Sequence, residues 1–269
     1  MRSSSNPAFR NLPTGGGYGG YAGFGQPDQQ AGYQQAPPPL TSERPMTIDD
    51  VVTKTGITLA VVAATAVVTY LMQAWFLLFP AAIIGLVLGL VISFKRVPSP
   101  PLVIAYAAVE GIFLGAFSGI MGTMIDRWTD NPGQGVVVIG QAIIGTIGVF
   151  AGMLVVYKTG AIRVTPKFTK WITGAIIGVA VLMLFNLIMS FFTDGGLGLR
   201  SGGPLAIIFS LVCIGLAAFS FLIDFDAADQ AIRAGVPAKF AWQIAFGLTV
   251  TLVWLYTEIL RLLSYFNSD

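Results

Sequence analysis

Residues 243–266 read QIAFGLTVTLVWLYTEILRLLSYF, an unbroken apolar run with one acid, Glu258, deep inside it. A helix needs about 20 apolar residues to cross a bilayer, so this run is a membrane span. The segment upstream, FLIDFDAADQ at 221–230, closes another apolar run and adds three carboxylates, Asp224, Asp226 and Asp229. Acids inside or beside lipid-length helices are costly. They mark an ion path, a proton relay or a buried pair.

The rest of the chain agrees. Of its 269 residues 55% are hydrophobic and 10% charged, with mean hydropathy +0.76, where a soluble domain is about 25% charged. The chain is therefore expected to be an all-α integral membrane protein. Seven apolar runs fall at 56–73, 75–94, 102–124, 136–157, 171–193, 204–223 and 244–266. The first two are divided only by Gln73 to Trp75, which predicts a tight helical hairpin; one long re-entrant pair is the alternative.

Ahead of these runs, residues 1–45 contain GGGYGGYAGFG and QPDQQAGYQQAPPP. Such a segment cannot bury enough to fold. It is expected to be a disordered cytoplasmic tail, with Tyr18, Tyr21, Phe24 and Tyr33 as candidate sticking points for a partner. Residues 46–269 form the membrane domain. Thr47 to Asp50, TIDD, has the residues to cap the first helix. No basic stretch followed by a short apolar core precedes it, so no cleavable signal peptide is expected.

Basic residues set the orientation. With the N-terminus in the cytoplasm, twelve of the fifteen Lys and Arg lie on the inner side and three, Arg127, Arg200 and Arg261, on the outer side. This predicts a multi-pass protein of the cell (plasma) membrane with its N-terminus inside. Six spans with a buried final hairpin is the competing count. Small residues recur every fourth position at Ala107, Gly111, Gly115 and Gly119, at Gly85 and Gly89, at Gly148 and Gly152, and at Gly174 and Gly178. That spacing lets helices approach closely in lipid and predicts a compact monomer, with a homodimer face as its rival.

Several functions are disfavoured. There is no histidine, the commonest metal ligand and general base. Cys213 is the only cysteine, so no internal disulfide forms. A net charge of +2 does not suit nucleic acid. No span carries a Ser–base or GxGD-type arrangement, so no enzyme and no bound cofactor are expected. DFDAAD does not fit an EF-hand loop, because Ala228 and Asp229 stand where a ligand and a Gly are required.

The polar residues inside spans remain. Glu110 lies about 13 Å into the third helix at 1.5 Å per residue, beside the Gly111 face. Gln141, Asn186, Ser118 and Ser190 suit hydrogen bonds between helices. Arg261 stands three residues after Glu258, where it could pair with it on one helix face; another helix or a water-filled cavity are the other settings for Glu258. Asp226 lies about 33 Å from Pro204 along its helix and Glu258 about 24 Å from Trp242. The two meet only if the last span starts late or tilts.

Three elements resemble the Bax inhibitor-1 (TMBIM) family, in particular its bacterial, actinobacterial-like members. Phe225-Asp226 looks like its F/Y-D element, although Ala227, Ala228, Asp229 and Gln230 replace the usual T-x-Q continuation. LYTEILRLL at 255–263 is similar to its last-helix signature LYLDxINLF, with Glu258 for Asp, and EGIFLG at 110–115 is similar to EGxxLG. The resemblance implies six helices bundled around a central seventh. It also implies a pH-sensitive Ca²⁺ leak through the membrane, with Asp226 and Glu258 as a proton-sharing gate and transient Ca²⁺ ligands. Glu110, Asp224, Asp229 and Arg261 are secondary candidates. Besides the lipid bilayer, the resemblance allows a membrane-protein partner, such as a membrane protease, that a non-channel regulator would bind. A proton-coupled transporter is a further reading, since Glu110 and Glu258 sit in different spans.

Overall fold

A computed structural model describes residues 44–94, 99–193 and 196–267. Among them, seven helices are long and apolar enough to cross a membrane. They are α1 (Ile48–Leu71), α2 (Leu78–Phe94), α3 (Pro100–Trp128), α4 (Gln134–Thr159), α5 (Pro166–Ser190), α6 (Pro204–Arg233) and α7 (Ala241–Phe266). That count agrees with seven spans rather than six or a re-entrant pair. The expected tail falls outside the described residues, except for Arg44 and Pro45.

Local chemistry sets the helix ends. Thr47 and Asp50 form the anticipated capping box at the start of α1. Proline opens α3, α5 and α6, where its missing N–H is no loss. Asp126 accepts from the Gly133 and Gly135 amides at the start of α4, at 3.1 and 2.7 Å. Between α1 and α2 the chain turns at Gln73, with φ 52°, and runs through a short 3-10 turn at Trp75–Leu77.

α6 runs well past the apolar stretch that ends at 223. Nothing from Ala227 to Arg233 breaks a helix, and the chain turns only at Gly235 (φ 66°) and Pro237. Asp224, Asp226 and Asp229 are therefore all helical residues.

α3 and α7 are the most buried spans. α7 packs against α1, α3, α4 and α6, and α5 packs chiefly on α6. The last helix is thus central, as expected, but it shares the centre with α3. Two of the four small-residue stripes explain this. A Cβ on Gly111 would stand 2.3 Å from the Val62 carbonyl, and one on Gly115 2.4 Å from that of Ala66, so α3 lies flush on α1. Gly85 likewise brings α2 onto Glu110. Gly148, Gly152, Gly174 and Gly178 have no neighbour within 4 Å. The stripes on α4 and α5 do not pack the bundle, so half of the pattern that predicted a compact monomer makes no such contact.

The bundle has two ends. At the near end α1 begins, α6 finishes and α7 starts. Met46 N–H donates to the Val236 carbonyl at 2.8 Å and Ala238 N–H to that of Arg44 at 3.0 Å. Lys54 also donates to the Ala238 carbonyl. Arg44 and Pro45, assigned to the tail, therefore belong to this end. Arg44 grips Asp50 through two bonds of 2.7 and 2.8 Å, which raise the guanidinium pKa further. At the far end lie the α5–α6 connection and the C-terminus of α7.

Candidate functional site

The acids singled out from the sequence separate into three environments. Asp226 and Asp229 sit near the near end of α6. Asp226 accepts from Gln230, one turn on, at 2.6 Å. Asp229 pairs with Arg233 at 2.8 Å and accepts from the Tyr157 hydroxyl at 3.4 Å. These are partly exposed helix-end contacts.

Glu258 lies elsewhere. Arg200 grips it with two bonds, Nη1 to Oε2 at 2.9 Å and Nη2 to Oε1 at 2.8 Å. Arg261 adds a third to Oε1 at 3.1 Å. The carboxylate is 2% exposed. Each guanidinium also lies over a ring, Arg200 over Phe209 and Arg261 over Phe117, a geometry that stabilises a cation in an apolar place. Arg200 reaches inward because its loop folds back through Gly196, Gly198 and Gly202, all at positive φ, and is tied to α5 by Asn186 Oδ1 on the Leu197 amide at 2.9 Å. Arg261 was legible at i+3 from Glu258. Arg200 was not, since nothing in its neighbours announces the fold-back.

This arrangement corrects the expected gate. Arg200 is just before Pro204, whereas Asp226 is about 33 Å along α6 from it. α7 starts at Ala241, so no late start brings Glu258 down. The structure does not bring Asp226 and Glu258 together, and both Glu258 oxygens are held by guanidinium groups. Neither is placed to share a proton or a Ca²⁺ ion with the other.

The third environment lies between the two ends. Asp224, two residues before Asp226, turns inward and accepts from the Thr251 hydroxyl of α7 at 2.7 Å. Glu110 on α3 lies beside Tyr106, one turn earlier. Both acids line one cavity of about 620 Å³, bounded by α2, α3, α5, α6 and α7. Ser220 and Thr173 add hydroxyls to its wall, and Phe113, Phe246 and Trp254 add rings. No Lys or Arg lines it. Two carboxylates thus share a largely apolar chamber with hydroxyl partners alone.

The other polar residues lie outside this cavity, and not all of them bond between helices as expected. Ser118 and the Tyr256 hydroxyl hydrogen-bond across α3 and α7 at 2.6 Å. Ser190 bonds its own helix, and Gln141 is exposed. Among the described residues no group of three or more Cys, Asp or Glu is placed to hold a metal.

The family model described as Bax inhibitor 1 like matches residues 6–268. No curated protein matches the chain.

Proposed function

The chain belongs to the Bax inhibitor 1 like family, a family of membrane proteins, and from that premise we propose that it is a proton-responsive, Ca²⁺-permeable leak of the plasma membrane with its N-terminus in the cytoplasm. The observation that carries this reading is the cavity between the helices with Glu110 and Asp224 on its wall and no basic residue beside them. Acids facing the interior of a membrane bundle mark pathways for ions and protons. Carboxylates and hydroxyls are hard oxygen ligands, suited to Ca²⁺.

The chemistry follows from charge. With both carboxyls protonated the chamber is neutral and holds no cation. Ionised, they place two negative charges in a medium of low dielectric, where a cation is strongly favoured. The groups facing them are Tyr106 from α3, Ser220 from α6 and Thr251 from α7, all neutral, and α2 and α5 contribute no charged side chain. Nothing but the two acids themselves would set the charge. Flux therefore rises with pH. Glu258 belongs to a clamp that fixes α7 against the α5–α6 connection, and the gate assigned to Asp226 and Glu258 passes to Asp224 and Glu110.

The test is Ca²⁺ entry into liposomes holding the purified protein, at pH 6 and pH 8. Wild type should conduct more at pH 8. Asp224→Asn and Glu110→Gln should each flatten that dependence, and together they should act non-additively because they share one chamber. No flux above empty liposomes at either pH, with the protein folded, sinks the leak and returns the reading to a regulator that binds a membrane partner.

A further inference from the structure

The chamber has more apolar wall than an ion path needs. A small cation crosses with water and oxygen ligands around it, and rings and leucines contribute nothing to that. Yet four aromatic side chains, Tyr106, Phe113, Phe246 and Trp254, line the cavity with the two acids. The rim is also unusual in where it opens. Leu86 and Leu90 of α2 lie on it, 65% and 49% exposed. They are on the outer surface of a membrane-length helix, so the cavity opens toward lipid on this side, while its lining also reaches Ser93 in the last turn of α2. The volume, about 620 Å³, falls within the roughly 300–1,000 Å³ of small-molecule sites.

We propose that this cavity binds a lipophilic organic cation, a molecule with one positive charge and an apolar body, that enters from the bilayer. Three features on the page converge on that class. An ionised carboxylate in an apolar setting is costly unless a cation pairs with it, and the chain supplies none here. Aromatic faces attract cations at close range. A guest reaching a lipid-facing mouth must itself partition into lipid. A lipid tail alone would satisfy the leucines but leave both acids unmatched. The proposal goes beyond the leak and does not depend on it, since binding requires no conduction.

The experiment is equilibrium dialysis of tritiated tetraphenylphosphonium against the purified full chain in a non-ionic detergent. Saturable binding at one site per chain is expected. The Glu110→Gln/Asp224→Asn double variant should weaken it by about tenfold or more, and tenfold is about 1.4 kcal/mol. The charge-preserving Glu110→Asp/Asp224→Glu variant should retain it, and Asp229→Asn, at the helix end, should match wild type. Uncharged tetraphenylmethane should not displace the probe. The proposal is overturned by the absence of saturable binding, by undiminished binding in the neutral double variant, or by equal displacement with tetraphenylmethane, which would make the chamber a lipid-filled groove. Should the neutral double variant fail to fold, Val250→Trp at the rim blocks the mouth without touching either acid. It must then abolish binding on its own, and retained binding would equally overturn the site. Because flux is not measured, failure here leaves the leak reading standing, and the reverse also holds.

Discussion

Glu258 and Asp224 are both carboxylates in the membrane bundle, on neighbouring helices, and their surroundings are opposite. Glu258 has three guanidinium bonds and no open space. Asp224 has one hydroxyl and a cavity. The contrast shows how to sort buried acids. One whose charge is fully answered by its own chain is part of the architecture. One answered only by a hydroxyl is available to something that is not in the chain. Sequence position does not separate the two cases, since an acid beside or inside an apolar run carries no mark of the partner it will meet.

The largest expected effect follows from breaking the clamp. Glu258→Gln leaves two guanidinium groups buried without their counter-charge, and removing one member of a buried pair costs about 3–5 kcal/mol. Thermal unfolding in detergent, followed by tryptophan fluorescence, should show a large drop in midpoint. Adding Arg200→Met should recover part of that loss, because an apolar residue in place of an unanswered cation removes the penalty. An unchanged midpoint for Glu258→Gln would mean that the clamp is not holding α7, and the contrast with Asp224 would collapse.

A second effect, of middle size, tests how the bundle is packed. On α3, a Cβ at Gly111 meets the Val62 carbonyl of α1, and backbone cannot yield as a side chain does. Gly111→Ala should cost about 1–3 kcal/mol, the usual range for overpacking. The same change at Gly148 on α4 meets nothing and should cost nothing by the same assay, or stabilise by up to about 1 kcal/mol. Equal effects at the two sites would remove the distinction between packed and open stripes.

These glycines also show what the sequence could convey. Hydropathy and length marked all seven spans because each signal is local to its helix. The capping box at Thr47 and the pairing of Arg261 with Glu258 were legible for the same reason, since partners three residues apart are fixed by helix geometry alone. Which glycine stripe packs is not local: the α3 and α4 stripes have the same spacing, and only the tertiary arrangement tells them apart. Arg200 is further from reach. It joins Glu258 across 58 positions through a loop whose three glycines bend it inward. At the functional site, the resemblance pointed to the Phe225-Asp226 element, and the structure turns its neighbour Asp224 into the chamber. Two residues of helix rotate a side chain by about 200° at 3.6 residues per turn. Choosing among Asp224, Asp226 and Asp229 therefore required knowing which face of α6 meets α7.

At the chamber the same kind of change should be nearly silent for stability. Asn at position 224 can still accept from Thr251 and carries no charge to desolvate. Asp224→Asn should shift stability by no more than about 1 kcal/mol, the scale of one exchanged hydrogen bond, while altering the pH dependence of flux. A loss as large as that of Glu258→Gln would show Asp224 to be a structural acid after all.

The smallest expected change is the most discriminating. In the structure, a Cβ on Gly85 would stand 2.9 Å from Glu110 Oε1. That atom is the free end of a flexible side chain, so it can move aside where the Val62 backbone cannot. Alanine also favours the helix over glycine by up to about 1 kcal/mol, which offsets the displacement. Gly85→Ala should therefore leave the melting midpoint within about 0.5 kcal/mol of wild type, as for most substitutions away from packed features. The Glu110 carboxylate is nonetheless pushed off its position beside α2, and the room available to it is the chamber. Tetraphenylphosphonium affinity should then change by about threefold, equivalent to ~0.6 kcal/mol, with no change in fold. If affinity stays at the wild-type value, Glu110 does not contact the guest, and Asp224 alone would answer the cation. If stability falls instead, the α2–α3 contact is rigid there, and Glu110 belongs with Glu258 among the acids that hold the bundle together.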